Sequence, residues 1–309
     1  MKKVYYVPGL IVIFIIIIFF YVRPTSEDYD FKINSTSEEI NFIRNNLVSG
    51  GPPKDGIPSI DNPIYLSSAE ADLDDDDVVF GVNYNGFVAA YPKSIMFWHE
   101  IVNEEVNGEK ISLTYCPLTE SIIGYNDVEL GVSGELYNSN LVAYDRLTGA
   151  RIPQIYGKAI EGSIEGKEFE TFEVIVTTWG KWKAENPDSL VLSTDTGFNR
   201  DYDRSPYPGY DKIYNLWFPV AAESDELRSK DIVLGIEGEK DFVAIEKEGF
   251  LDKYPDGLDI IIGNETVKVI YDKNFGALRT NNSNIKSFEV YWFAWYAYHP
   301  NTELIKTDL

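Results

Sequence analysis

The sequence predicts an α+β domain that is mainly β: antiparallel strands with a few short helices, preceded by one transmembrane helix. Three observations carry that reading. The pair Asn85-Gly86 separates two strand-like runs, 79–84 and 87–91, and such a pair is a strong local signal of a two-residue hairpin. Segments of similar pattern return near residue 233, so a β unit is expected twice, as a degenerate internal duplication. Residues 4–22 are apolar apart from a break at Pro8-Gly9, and Lys2 and Lys3 precede them.

That apolar run has about 19 residues, and at 1.5 Å per residue it spans about 28 Å, close to the ~30 Å hydrocarbon core of a bilayer. A cleaved signal peptide has a shorter apolar region and a small-residue cleavage pattern, and none follows here. The expectation is an uncleaved signal anchor over residues 1–23. Two lysines before the span, against Arg23 and then acidic residues after it, orient the N-terminus toward the cytoplasm and the remainder outside. The cell membrane is thus the expected partner and location. The triplets beginning at Asn34, Asn264 and Asn281 are glycosylation acceptors in pattern, in keeping with export. A net charge of −23 excludes nucleic acid and anionic lipid as surface partners, since both require a basic face. Neither G-x-G-x-x-G nor G-x-x-x-x-G-K-[ST] occurs, which sets nucleotide cofactors aside.

Taken in order, residues 24–57 read as a stalk, a short helix and a Gly/Pro linker. The helix, 35–46, has Ser/Thr ahead of Glu and apolar residues at helical spacing. Residues 48–63 are too rich in Gly and Pro for regular structure. The β-rich extracytoplasmic domain spans 58–309. Four aspartates, 74–77, lack the spacing and later Glu of a calcium loop and read as a solvated turn. After the first hairpin come a helix over 93–102, a turn at Asn107-Gly108, and strands over 110–115 and 121–125. The two copies are expected at 78–126 and 232–280, matched through Val79–Val82 and Val233–Ile236, and through strands ending at Tyr115 and Tyr271. Cys116 follows the first tyrosine and Asp272 the second. Residues 131–156 read as strands, 178–187 as an amphipathic helix, and 199–211 as a turn-rich loop. The aromatic block 288–299 is a buried strand or helix.

Chemistry concentrates in residues 95–125. They hold the only cysteine, Cys116, one of two histidines, His99, and the only methionine besides the initiator, Met96. The second histidine, His299, ends the aromatic block. A free cysteine is ordinarily a small buried hydrophobe, and a lone histidine is ordinarily satisfied by backbone carbonyls. All three candidates, however, fall in strongly patterned segments rather than in loops.

The segments WHEIVN (98–103), LTYCPLT (113–119), GVSGELYNSNLVAYDR (131–146), TTWGKWKAENPDSLVLS (177–193) and WFAWYAYHP (292–300) resemble the family known as domain of unknown function 3179. Its members are exported or membrane-anchored bacterial and archaeal proteins. The resemblance implies no activity. It does imply that His99, Cys116 and His299 lie in signature segments, along with Asn138, Asn140, Asp145 and Arg146 as substrate-binding candidates. Where relatives carry a second cysteine and a glycine, this chain has Thr119 and Glu120, so a two-cysteine pair is not available.

Three function classes follow. The first is a copper or zinc site with His99, Cys116 and His299 as ligands and Met96 as an axial candidate. The second is a cysteine nucleophile: Cys116 attacks, His99 takes the proton, and Glu100 or Asp145 orients the imidazole, with Arg146 holding an anionic group. The third is a non-catalytic surface domain that binds a protein or small molecule through its tyrosines.

Overall fold

The computed structural model describes residues 36–282 and 285–307. The expected anchor, its stalk and the acceptor Asn34 lie outside the described residues. Among the described residues no helix is long and apolar enough to cross a membrane.

Helix α1 (Thr36–Asn45) carries Glu38 and Glu39 in its first turn and Arg44 in its last, which suits the helix dipole. Its Ile40 and Ile43 are buried against Tyr137, Val142 and Ile160. The linker that follows is irregular apart from the two residues of β1 (Val48–Ser49), and β2 (Tyr65–Ser67) comes after it. Strands β3 (Val78–Tyr84) and β4 (Phe87–Pro92) form the expected hairpin, with Asn85 and Gly86 both at positive φ. That geometry matches the right-handed twist of the strands it joins.

Helix α2 spans Lys93–His99 and stops three residues short of the expected Val102. Glu100, at φ 57°, turns left-handed and returns its N–H to the Met96 carbonyl. Ile101–Val106 is therefore strand β5, not helix, and its β-branched residues suit an extended chain. Asn107 and Gly108, again both at positive φ, lead into β6 (Glu109–Cys116), and β7 (Ser121–Asn126) pairs back on it.

Residues 131–156 are strand-rich, as expected. They supply most of β8 (Leu130–Tyr137), with β9 (Asn140–Asp145) and β10 (Arg151–Pro153). Strands β11 (Thr171–Phe172) and β12 (Val174–Thr178) precede α3 (Trp179–Glu185) and β13 (Leu190–Leu192). Residues 193–231 then contain no strand and only one short turn of 3-10 helix, Tyr210–Lys212. The last part comprises β14 (Ile232–Glu237), β15 (Phe242–Glu246), α4 (Phe250–Lys253), β16 (Leu258–Ile262), β17 (Glu265–Asp272) and β18 (Ala277–Thr280). The aromatic block resolves into both readings at once: the end of strand β19 (Lys286–Tyr291), then helix α5 (Trp292–Tyr298). Strand β20 (Glu303–Ile305) closes the order.

These strands make five small sheets in a propeller-like ring. Two of the sheets are built alike. In one the order is β12-β3-β4-β13, with β2 beyond; in the other it is β19-β14-β15-β20. In both, the hairpin pairs antiparallel with the strand before a helix and parallel with the strand after it. The likeness therefore runs further than the 78–126 and 232–280 units expected, through a strand–helix–strand segment in each half. A Cβ placed on Gly81 would meet the Trp182 ring at 2.1 Å, and one on Gly235 would meet the Trp295 ring at 2.2 Å. Each tryptophan indole donates to a hydroxyl seven residues on, Trp182 to Ser189 and Trp295 to Thr302, both at 2.9 Å.

Candidate functional site

Alternation along β6 sends Tyr115 and Cys116 to opposite faces. Tyr115 joins a core with Met96, Phe80 and Ile95, whereas Cys116 joins the larger core of β8, β9 and α5. Met96 and Cys116 thus serve different cores. Cys116 is 2% exposed; its sulfur accepts the Leu141 N–H at 3.3 Å. Burial, and then the charge of Glu100, push its thiol up to about 11.

Glu100 lies across the sheet, its backbone carbonyl accepting the Tyr115 N–H at 2.7 Å. Its side chain is 6% exposed and accepts a hydrogen bond from the Tyr207 hydroxyl at 2.8 Å. Burial lifts this carboxyl to about 7, although the tyrosine bond pulls the other way. A buried carboxyl lifted toward neutrality is the kind of group that moves protons.

Glu120, at φ 53°, stands in the turn between β6 and β7. The Tyr115 hydroxyl donates to it at 2.9 Å, and Lys93 pairs with its other oxygen. The second half of the chain makes the corresponding turns with glycine. Gly257, at φ 87°, directly precedes β16 as Glu100 precedes β5, and Gly276, at φ 69°, precedes β18 as Glu120 precedes β7. A left-handed residue with a side chain costs roughly 1–2 kcal/mol, a cost glycine avoids. At these two turns the first half has glutamate where the second has glycine.

His99 is buried with both ring nitrogens engaged. A carbonyl can only accept, so Nδ1–H donates to the Pro58 oxygen at 2.7 Å, and Nε2 then accepts from the Tyr202 hydroxyl at 2.7 Å. Burial, assisted by Arg200, lowers its pKa and keeps the ring neutral. No lone pair is left for a metal or for a thiol proton.

Tyr202 and Tyr207 both come from the long irregular stretch 193–231, which also gives Tyr210. The Ser139 hydroxyl donates to the Phe218 carbonyl at 2.7 Å, and Ala221 N–H donates to Asn138 at 2.8 Å. This loop lies over His99, Glu100 and the Asn138-Ser139 turn together. Sequence reading assigned it nothing beyond turns. Its length without regular structure was the available signal, since long irregular loops in compact domains are usually functional.

The remaining candidates take structural positions. Asn140 donates to Thr119, Ser121 and Gln154 within a buried network, at 2.9, 3.2 and 2.7 Å. Asn138 also donates to Ala297 at 2.9 Å. Asp145 caps its own turn by accepting from Leu147 and Thr148. Arg146 pairs with Asp61 at 3.0 Å and donates to Ser59 and Leu130.

His299 ends helix α5 as Asn186 ends α3, with matching backbone angles of φ −131° and ψ 68° against φ −131° and ψ 66°. Its ring stacks on Phe242 at 4.0 Å, and Nε2 lies 3.4 Å from Glu237, which Lys286 also pairs. The structure does not bring the expected ligand set together. His99, Cys116 and His299 each have other surroundings, and among the described residues no three His, Cys, Asp or Glu side chains converge to hold a metal ion. Under the thiol reading His99 has no free ring nitrogen for the Cys116 proton, which leaves Glu100 from the expected set.

The profile of a family described as "Protein of unknown function (DUF3179)" matches residues 54–286, more than half of the chain, and the chain belongs to that family. No curated protein and no solved structure matches.

Proposed function

We propose that this chain is a membrane-anchored, extracytoplasmic thiol enzyme of acyl transfer or hydrolysis, with Cys116 as nucleophile and Glu100 as proton acceptor. One observation carries the reading: the first half of the chain places glutamates at two left-handed positions, flanking Tyr115-Cys116, where the similar second half has glycines. Strain of this kind is retained where the side chain serves a purpose. The likeness of the halves supports descent from one duplicated unit. The apolar run 4–22 and the lysines before it support the anchor and the external location.

The chemistry balances as follows. Cys116 sulfur bonds to the carbonyl carbon of a neutral ester as its proton passes to the Glu100 carboxylate. The carbon–oxygen bond to the alcohol breaks, and the alcohol leaves with that proton. Water then cleaves the thioester, releasing the acid and restoring the thiol. Because Cys116 is covered, the 193–231 loop must open to admit substrate, releasing the Tyr207–Glu100 bond as it does.

The test is acylation of the full chain by p-nitrophenyl acetate, read as p-nitrophenolate release and as mass added at Cys116. The expected rate rises with pH around a midpoint near 7 and is lost in Cys116→Ala. In Glu100→Gln it should fall about 100-fold or more. A folded chain that acylates no faster than the same chain in urea would sink the reading.

A further inference from the structure

Of the three N-x-[ST] triplets, the one at Asn34 lies outside the described residues, and the other two are placed very differently. Strands β16 and β17 pair antiparallel out to Ile262 and Glu265, so Gly263 and Asn264 alone make the loop of a two-residue hairpin. Gly263 takes the left-handed position, at φ 60°, and its N–H donates to Asp241 at 3.0 Å. Asn264 stands at the tip, exposed, and no hydrogen bond among the described residues engages its carboxamide. Thr266, which completes the triplet, is exposed as well and directly opposes Ile261 across the pair. Asn281 is also exposed, but its carboxamide oxygen accepts the Lys268 N–H at 2.9 Å while its own backbone N–H donates to the Lys268 carbonyl. The Asn281 amide is tied to β17; the Asn264 amide is not. The same hairpin leaves a strand uncovered. Strand β16 is the edge of its three-stranded sheet, and among the described residues it pairs with β17 only. Its five residues, Leu258–Ile262, carry one charge, and Ile261 is 73% exposed beside Thr266. An apolar edge of this kind is a template for pairing with another chain unless something covers it.

We propose that Asn264, rather than Asn281, carries an N-linked glycan, and that this glycan shields the β16 edge. The proposal is independent of the thiol chemistry and rests on the external location alone. The co-reactant is a sugar joined through phosphate or pyrophosphate to a lipid. The Asn264 amide nitrogen bonds to the anomeric carbon of that sugar. The carbon–oxygen bond to phosphate breaks, the phosphate leaves with the electron pair, and the amide proton passes to a base of the transferase. Such a transferase reads the hydroxyl of the third residue, and Thr266 presents it on the open face of the hairpin. The product is bulky and hydrated, and it is rooted two residues beyond the end of β16. A second chain approaching that edge would meet the glycan before it met the strand.

The experiment expresses the full chain in a secretory host that has an N-x-[ST] oligosaccharyltransferase. Saccharide mass is read on the tryptic peptides 254–268 and 280–286, which separate Asn264 from Asn281. The expected result is saccharide on most copies of 254–268 and none on 280–286. Asn264→Gln should lose that mass and sediment as larger species than the glycosylated parent, and adding Ile261→Lys should reverse the association by charging the edge. A chain found outside the cell with 254–268 bare, or with 280–286 modified as fully, overturns the inference and leaves the external location standing. Asn264→Gln sedimenting as the parent does overturns the shielding. A chain retained inside the cell brings down both the glycan and the location.

Discussion

The sheet holding β3 and β4 and the sheet holding β14 and β15 share strand order, strand sense, a glycine pressed against a tryptophan, and an indole bonded to a hydroxyl seven residues on. They differ where the following strands turn. The first half has Glu100, Cys116 and Glu120; the second has Gly257, Asp272 and Gly276. Asp272 serves its own turn, accepting from Asn274 at 3.0 Å and pairing with Arg279 at 2.9 Å. The contrast separates what the scaffold requires from what it does not. Left-handed turns and Gly–Trp contacts recur because the fold needs them. Two carboxyls and a thiol do not recur, and the loop 193–231 covers the half that has them.

The shared part is the easiest to break. Gly81→Ala and Gly235→Ala should each cost roughly 3 kcal/mol or more, because the added methyl overlaps a buried indole that cannot move aside. Denaturant unfolding checks this, and a large inequality between the two would show that the halves are not energetic equivalents. The contrast itself is sharpened by pH. Glu100 titrates near 4.5 when unfolded and near 7 when folded, so between those values the folded chain holds the extra proton. Stability should therefore fall as pH rises from about 4.5 to about 7, by about 3 kcal/mol, and then level off. Glu104, pushed up to about 8 by burial, adds a slope of the same sign. Glu100→Gln should remove only the first contribution, and an unaltered profile would refute the burial cost assigned to Glu100. The smallest effect is expected from His299→Asn, which gives the second half the residue of the first. It should cost about 1 kcal/mol through the lost Phe242 stacking and leave Cys116 alkylation unchanged. Bound zinc or copper lost with His299 would restore that residue as a ligand.

Hairpin tips and helices were legible in the sequence because Asn-Gly pairs and apolar spacing are local signals. The end of α2 was not. Glu100 carries no local mark of a left-handed turn, so periodicity ran on into what is strand β5. The second half of the internal likeness was legible and missed: Trp179-x-x-Trp182 with Pro187 and Trp292-x-x-Trp295 with Pro300 have the same spacing. That alignment would have matched His299 to Asn186 and weakened its standing as a ligand. Cys116 and Glu100 were legible as candidate chemical groups by residue type alone. Tyr207 was not, because its bond to Glu100 reaches across 107 residues of chain and no periodicity records it.

The Asn138-Ser139 tip binds two stretches of chain through three hydrogen bonds: α5 through Ala297, and the covering loop through Phe218 and Ala221. Helix α5 and the covering loop are thereby riveted to one tip that lies outside the two similar sheets. A gene cut between residues 192 and 232 would not yield two autonomous folding units, because each fragment would expose a polar tip or its unpaired carbonyls. Amide exchange in the covering loop should then track that of β9 rather than of its flanking strands, marking the rivet as one cooperative block.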